Sequence, residues 1–362
     1  MFSITSEDGQ ARAGALKTLH GTLETPAFLP VATRAVGRFV AADDYRQANV
    51  PAIIANAFLL AHDPGIETFK NGIHRFMHFD GVIFTDCGGF QMLRKNLLLD
   101  TTTNGVWFRT PMGKRTFVRP ETVVTIGKQI GGDVVMALDC VLPYGKTRTE
   151  YIDALKKSHH WSKRCRDLHD SKQLLFGITQ GGTFGDLREA SAKAINAMGF
   201  DGNAIGGLGI GEPAEVMYQM LTVSVSSLDK EKPRYVMGIG KPSQILECVE
   251  RGIDIFDSIY PQKNARHGRL FTFNGILDLG KERYKFDEKP IDDACSCATC
   301  RTFSRAYLRY LLKKQDPVGK RYLTIHNLFF MQDLMKQIQE RIKDGDYRAF
   351  KESVLKKISV IQ

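Results

Sequence analysis

The chain has 362 residues, 43% of them hydrophobic and 25% charged, which is the composition of an ordinary globular protein. Its net charge of +10 favours a polyanionic partner, and nucleic acid is the first candidate. The N-terminus has no basic segment followed by an apolar run, and the most apolar stretch is too short to span a bilayer, so we expect neither a signal peptide nor a membrane anchor. Seven cysteines, an odd number, favour a reducing cytoplasm over a disulfide framework.

Short apolar runs, each followed by a polar or glycine-rich turn and then a helical pattern, recur along the chain. The predicted strands are residues 82–85, 133–138, 174–179, 204–205, 235–237 and 253–256. The predicted helices are residues 149–169 and 184–198, one that begins near residue 214 and one that ends near residue 251. Strands that alternate with helices predict a parallel sheet built from βα units.

The number of units favours a (β/α)8 TIM barrel. A doubly wound sheet is the alternative, but no GxGxxG fingerprint opens a strand–helix unit to support it. Active-site residues of a barrel lie at the carboxyl ends of its strands. The polar or glycine positions at those ends are Asp86, Asp139, Gln180, Gly206, Gly207 and Asp257.

Two carboxylates at one barrel mouth, Asp257 and Asp86, form the minimum set for displacement at a glycosidic carbon, with one nucleophile and one acid/base. The alternative roles for Asp257 are metal ligand, general base and capping residue. The alternative for Asp86 is an ordinary turn aspartate. After Asp86 come Cys87, Gly88, Gly89 and Phe90, and the glycines allow a planar ligand to approach the backbone.

A purine is the ligand that the remaining mouth residues suit best. Asp139 can accept hydrogen bonds from the guanine edge, while the Gln180 amide and the Gly207 N–H can donate to a base carbonyl. Phe90 or Met237 can cover the flat ring. The alternatives are helix capping by Asp139 and loop bracing by Gln180.

A basic loop follows Asp257 closely and contains Lys263, Arg266, His267 and Arg269. Such a loop can hold phosphates on either side of a reacting nucleotide, although a solvated basic loop is the alternative. The final stretch, residues 327–360, is predicted to be helical, and its lysines are interpreted as lying on a solvent-exposed face.

Three closely spaced cysteines near the end of the chain, Cys295, Cys297 and Cys300, are followed by His326. Three thiolates and one imidazole can fill the tetrahedral shell of one structural Zn²⁺, with no open position for water. The alternative is three ordinary thiols beside an unrelated histidine. We expect a barrel over residues 1–280, and a zinc-binding subdomain with C-terminal helices that complete the barrel over residues 281–362.

Six motifs together resemble the tRNA-guanine transglycosylase family of bacterial type, also called queuine tRNA-ribosyltransferases. They are residues 85–91, 177–182, 204–208, 237–242, 252–257 and the Cys-x-Cys-x-x-Cys…His set. The resemblance implies a (β/α)8 barrel with one structural zinc per chain, and a homodimer. It implies exchange of the wobble guanine in tRNA with a GUN anticodon for a 7-deazaguanine base, without ATP, a redox cofactor or a catalytic metal.

The resemblance also implies roles for individual residues. Asp257 attacks C1′ of the ribose and forms a covalent ester, and Asp86 is the acid/base. The implied base-binding residues are Cys87, Gly88, Gly89, Phe90, Asp139, Gln180, Gly207 and Met237. The implied RNA-binding residues are Gly238, Ile239, Gly240, Lys241, Pro242, Ser243, Gln244, Gln262, Lys263, Asn264, Ala265 and Arg266.

The chain departs from the common bacterial pattern at Cys87 and at the pairs 140–141, 209–210 and 262–263. Val141 resembles the queuine-using eukaryotic branch and Gly209 adds room, so queuine and 7-aminomethyl-7-deazaguanine both remain candidate bases. Lys263 keeps a charge but lacks the bidentate fork of arginine.

Three other functions are alternatives. A non-catalytic tRNA-binding accessory subunit would be expected to lose a catalytic carboxylate, and this chain keeps both. A metal-dependent barrel hydrolase needs histidine ligands at strand ends, where none is predicted. The archaeal-type enzyme carries additional C-terminal RNA-binding domains, for which this chain is too short.

Overall fold

The structure, a computed structural model, describes residues 1–89, 97–110 and 113–359. The strands among them are β1 (Phe2–Asp8), β2 (Ala11–Lys17), β3 (Thr22–Thr25), β4 (Ala27–Pro30), β5 (Ala52–Asn56), β6 (Val82–Asp86), β7 (Leu98–Thr102), β8 (Gly105–Arg109), β9 (Arg115–Val118), β10 (Val134–Met136), β11 (Leu174–Thr179), β12 (Gly202–Ile205), β13 (Arg234–Val236), β14 (Ile255–Ser258), β15 (Arg269–Thr272) and β16 (Gly275–Asp278).

The α-helices are α1 (Ala42–Gln47), α2 (Ala57–Leu60), α3 (Ile73–Met77), α4 (Pro120–Ile130), α5 (Arg148–Leu168), α6 (Gly185–Ala197), α7 (Ala214–Ser226), α8 (Pro242–Glu250), α9 (Tyr260–Ala265), α10 (Ala298–Thr302), α11 (Arg305–Lys313), α12 (Pro317–Asp344) and α13 (Tyr347–Ser359). Single 3₁₀ turns occupy Ile66–Phe69 and Glu282–Tyr284. In the described ranges, no helix combines the length and the apolar character needed to cross a membrane.

Eight parallel strands form the barrel, in the order β4-β14-β13-β12-β11-β10-β6-β5. A parallel bridge between Val31 and Ile54 joins the two ends of this order. The strands are buried almost throughout, as expected for a parallel sheet that is covered on both faces. The predicted (β/α)8 barrel is confirmed, and the carboxyl ends of β6, β11 and β14 open on one face, the mouth.

A three-stranded antiparallel sheet, β1–β3, covers the opposite end of the barrel. Arg12 on β2 pairs with Asp254, which directly precedes β14, with nitrogen–oxygen distances of 2.9 and 2.6 Å. His20, in the turn between β2 and β3, bonds Asp133, which directly precedes β10. Both partners lie at the amino ends of barrel strands, so this sheet forms the barrel floor, which the sequence analysis did not anticipate.

A second antiparallel sheet, β7–β9, is inserted between β6 and α4. Phe108 of this sheet packs on Phe58, which follows β5, with ring centroids 4.9 Å apart. The Trp161 indole N–H donates to the Thr103 carbonyl at 2.8 Å and holds the sheet to α5. The insertion therefore packs against α2 and α5.

The long helix α12 packs against β4 and supplies the last helix of the ring. Its Gln332 and Gln339 side-chain amides donate to the carbonyls of Phe28 and Pro26, at 3.1 and 2.9 Å. The residues between β14 and this helix form α9, β15, β16, the 3₁₀ turn Glu282–Tyr284, α10 and α11, so the alternation of strand and helix is interrupted here. The division at residue 280 stays a prediction.

Candidate active site and metal centre

Asp257, at the mouth end of β14, is held by two donors on one oxygen. The Tyr235 hydroxyl donates to Asp257 Oδ1 at 2.5 Å, and the Gly238 N–H donates to the same atom at 2.9 Å. Among the described residues no donor reaches Oδ2, so that oxygen is available for attack. Burial raises the pKa of Asp257, while the two hydrogen bonds oppose that shift. Burial and the Asp257 charge raise the pKa of Tyr235, so its hydroxyl remains a donor.

Asp86 ends β6, and Asn56 stands opposite it at the end of β5. The Asn56 amide donates to Asp86 Oδ2 at 2.9 Å. Burial, and then the charges of Asp139 and Asp257, raise the pKa of Asp86 to about 7, against hydrogen bonds from Gly88 and Asn56. A carboxylic acid with this pKa can hold or release a proton at neutral pH, which a general acid/base requires.

Asp139, Gln180 and Cys87 lie together at the mouth, as predicted. The Gln180 amide donates to Asp139 Oδ2 at 2.6 Å, and the Cys87 thiol lies 3.8 Å from Asp139 Oδ1. Burial raises the pKa of Asp139 to about 6, although these bonds oppose the shift. These contacts hold the Asp139 carboxylate in one orientation in a buried site. A ligand with adjacent N–H donors would satisfy its remaining hydrogen-bonding capacity.

Glycines bring the backbone against these polar side chains. A Cβ on Gly89 would lie 2.1 Å from Asp139 Oδ1, and one on Gly206 would lie 2.6 Å from Gln180 Nε2. Gly207 combines a φ of +68° with a Cβ position 2.3 Å from Gln180 Oε1. A larger residue would displace the Asp139 and Gln180 side chains, so the glycines keep room beside them for a flat ligand. Of the residues predicted to cover that ligand, Met237 is partly buried beside the core and Phe90 lies outside the described residues.

The residues predicted to contact RNA lie in two segments that flank Asp257. The exposed or half-exposed ones are Gly238, Lys241, Ser243, Gln244, Lys263, Asn264 and Arg266. The buried ones are Ile239, Gly240, Pro242, Gln262 and Ala265, which present little surface to RNA. Burial and the neighbouring charge of Arg38 lower the pKa of Arg266, so Arg38 adds a cation that the sequence analysis missed.

Sequence reasoning also missed Asn56, Tyr235 and Arg188. Asn56 ends an apolar run in the same way as Asp86, so strand-end position was a usable signal. Tyr235 lies inside a strand and gave none. Arg188 occupies the apolar face of α6 with Leu187, Ser191, Ala192 and Ile195, where a charge is out of place and therefore informative.

Cys295, Cys297, Cys300 and His326 converge in the C-terminal region, with their candidate ligand atoms all within 4.8 Å of one another. His326 Nδ1 lies 3.7, 3.5 and 3.3 Å from the three sulfurs in that order. Ligands of one tetrahedral zinc lie roughly 3.5–3.8 Å apart, so the set fits a metal such as zinc. His326 Nε2 lies 2.9 Å from the Phe271 carbonyl, a contact that leaves Nδ1 for the metal.

Comparison with known proteins places the chain in a family. A family model described as queuine tRNA-ribosyltransferase matches residues 7–359. Proteins described as queuine tRNA-ribosyltransferase from Fusobacterium nucleatum and Pelotomaculum thermopropionicum are 40% and 41% identical, each over 98% of this chain and over 97% and 98% of their own lengths. That from Francisella tularensis subsp. novicida is 37% identical over 98% of both chains. This chain therefore belongs to the queuine tRNA-ribosyltransferase family.

Proposed function

We propose that this protein exchanges the wobble guanine of tRNA with a GUN anticodon for a 7-deazaguanine base, through a covalent Asp257–ribose intermediate. Family membership supports guanine exchange in tRNA for queuosine formation. The observation that carries the mechanism is the pairing of two unlike carboxylates at the mouth. Asp257 is held through Oδ1 while no donor in the described part of the chain bonds its Oδ2, and Asp86 has a pKa of about 7.

In the first step an Asp257 oxygen attacks C1′ of the nucleotide, and the bond from C1′ to N9 of guanine breaks. Guanine leaves with the electron pair on N9 and takes the proton of Asp86. In the second step the incoming base gives its N9 proton to the Asp86 carboxylate. Its N9 then bonds C1′ and releases Asp257, so both carboxyl groups return to their starting state.

In base recognition, the Asp139 carboxylate is the hydrogen-bond acceptor, and the Gln180 side-chain amide and the Gly207 N–H are the donors. Asp139 faces the ring N–H and the amino group of guanine or a 7-deazaguanine, which present the same edge. Lys241, Lys263 and Arg266 hold phosphates of the anticodon loop. The four-ligand cluster holds a zinc that supplies structural cross-linking only, because four protein ligands leave no open position for substrate.

A labelled-guanine assay tests this function. We expect incorporation of guanine into tRNA with a GUN anticodon by the wild type and none by Asp257→Ala. Denaturing gel electrophoresis should show a tRNA–protein adduct that also depends on Asp257. A chase with queuine or 7-aminomethyl-7-deazaguanine identifies the preferred base, because the faster chase names it. A folded, metal-loaded wild type without incorporation would instead indicate a tRNA-binding accessory subunit.

We also propose that the protein is a homodimer. Several large apolar side chains are exposed on the region that carries the metal ligands: Phe286, Tyr307, Tyr310 and Val318, between 45% and 82% exposed. Exposed apolar side chains that form a patch mark protein–protein interfaces, and we infer that these four form part of one. A second copy of the chain is the partner that the family resemblance implies.

A further inference from the structure

Arg188 is a buried cation without an ion-pair partner in the described part of the chain. Its guanidinium lies on α6, fully buried behind the mouth loops. Burial lowers its pKa to about 10, so the group is still charged at neutral pH. Burying a charge is costly unless hydrogen bonds compensate for lost water. Here the compensation comes from backbone carbonyls of the loops that frame the base site.

Three carbonyls accept from this one guanidinium. Nε donates to Gly182 O at 2.7 Å, Nη1 to Gly206 O at 2.7 Å and Nη2 to Gly207 O at 3.0 Å. Gly182 belongs to the loop that carries Gln180, whereas Gly206 and Gly207 belong to the loop that follows β12. One rigid fork therefore fixes two base-site loops relative to each other, which a single lysine amine cannot do.

The bond to Gly206 also sets the direction of the next amide. In a trans peptide the C=O of one residue and the N–H of the next point in opposite directions. Because the Gly206 carbonyl points at Arg188, the Gly207 N–H points away from it. This N–H has no acceptor among the described residues, and Gly207 is partly exposed. It is thus a free donor whose direction Arg188 determines.

We propose that Arg188 is a positioning residue for base recognition, which orients the Gly207 N–H toward the 6-carbonyl of the bound base by holding the Gly206 carbonyl from behind. The proposal rests on the function proposed above and deepens it. Arg188 contacts neither the base nor the ribose. Its contribution is to hold an unpartnered amide and the Gln180 loop in fixed register before the base arrives.

The test compares two bases that differ only at the atom in question. 6-Thioguanine keeps the ring N–H and the amino group that face Asp139 but replaces the carbonyl oxygen by sulfur, a weaker acceptor. Inhibition constants of unlabelled guanine and 6-thioguanine are measured against labelled-guanine incorporation. The proteins are the wild type, Arg188→Lys and, as a second variant, Arg188→Gln. Arg166→Lys is the matched control, because Arg166 donates to the Gly199 carbonyl on the exposed side of the same region.

We expect Arg188→Lys to weaken guanine inhibition by roughly tenfold or more, the cost of a lost buried hydrogen bond. Inhibition by 6-thioguanine should change far less, so the preference for guanine shrinks, while KM for tRNA and the Arg166→Lys values stay unchanged. Arg188→Gln should behave in the same way.

An equal loss for both bases, or no loss, in a variant with wild-type melting temperature would overturn the positioning role. If both variants fail to fold, hydrogen exchange of the peptide spanning Gly206 and Gly207 in the wild type decides. The Gly207 amide should gain protection when guanine binds but not when 6-thioguanine binds, and equal protection would refute the proposal. A wild type that neither binds nor incorporates guanine would refute the proposed function itself, which is a different result.

Discussion

Asp86 owes its proton affinity to its surroundings. A carboxyl group in water titrates near pH 4, but burial and two neighbouring carboxylates raise the pKa of Asp86 to about 7. Burial also raises the pKa of Asp257, and the hydrogen bonds from Tyr235 and Gly238, which stabilise its charged form, oppose that shift. We propose that these different surroundings give two chemically identical side chains different roles at one mouth.

Guanine release should therefore depend on pH. We expect the single-turnover rate of guanine release from tRNA to fall as pH rises through about 7, because Asp86 then loses the proton that it donates. Asp139→Asn removes a negative charge that raises this pKa, so the falling limb should move to lower pH although the rate is lower throughout. Rapid-quench measurements between pH 5 and 9 locate the falling limb of the wild type and that of Asp139→Asn. A limb that Asp139→Asn leaves in place would argue against Asp86 as the acid.

Gly89 shows how tightly the base site is built. In Gly89→Ala the new Cβ would lie 2.1 Å from Asp139 Oδ1, so the carboxylate must move off the base edge. We expect KM for guanine to rise roughly tenfold or more, with KM for tRNA little changed. Gly185→Ala is the matched control, because its Cβ would meet only Met220 at 3.8 Å. If the two variants have the same KM for guanine, Asp139 is not the base acceptor.

At the scale of elements, one buried carboxylate, that of Asp133, links the β1–β3 sheet of the barrel floor to the barrel. Asp133 Oδ1 accepts from the backbone N–H of His20 at 2.9 Å and lies 3.0 Å from its ring, while Oδ2 accepts from the N–H of Ile83 at 2.8 Å and lies 3.0 Å from the His74 ring. The two imidazoles stack with centroids 3.6 Å apart. Asp133 thus joins the β2–β3 turn, α3 and β6 in one network.

This network should make stability depend on pH in a defined direction. Burial alone would raise the pKa of Asp133, but bonds from His74, Ile83 and His20 outweigh burial and lower it to about 2. A lowered pKa stabilises the fold above the unfolded value near 4, and that stability is lost as pH falls toward 2. We expect Asp133→Asn to lower the free energy of unfolding by about 2 kcal/mol or more at pH 7, and by less at pH 3.

Urea unfolding at several pH values measures this difference. Asp170→Asn is the control, since Asp170 pairs with Lys128 on the surface and its loss should change stability little at any pH. An Asp133→Asn deficit that stays constant from pH 7 to pH 3 would show that packing, rather than the ionised carboxylate, holds the floor.

The barrel elements could be predicted from the sequence because each is a local pattern. Residues 174–179 were predicted as a strand and form β11 with the same bounds, and the predicted helix 149–169 is α5, Arg148–Leu168. The floor sheet and the β7–β9 insertion were missed, because their position on the barrel depends on distant partners such as Asp133 and Trp161, although their strands pair with sequence neighbours. Arg188 carried a local signal, its place on the apolar face of α6, but its role could not be predicted because its three acceptors lie on two other loops.

At the scale of the whole molecule, helix α12 connects the four candidate metal ligands to the barrel and its mouth. His326 lies on α12, which also packs against β4. The next residue, Asn327, donates to the carbonyls of Pro261 and Arg269, both at 3.0 Å. The helix that carries a metal ligand therefore also holds α9, the segment that presents Lys263 beside Asp257. Metal binding should fix both the basic loop and the exposed apolar surface of Tyr307 and Tyr310.

Two variants separate these consequences. Cys297→Ser removes one of four ligands, so we expect loss of bound metal, a lower melting temperature and weaker tRNA binding. If Tyr310 lies in the interface between two copies, Tyr310→Glu should yield a monomer that keeps its metal and melting behaviour, because Tyr310 is 57% exposed and is not one of the four candidate ligands. Elemental analysis and light scattering after gel filtration measure metal and mass together. A dimer that survives Tyr310→Glu would place the interface elsewhere. Full tRNA affinity in metal-free Cys297→Ser would show that α9 is held without the metal, through Asn327 alone.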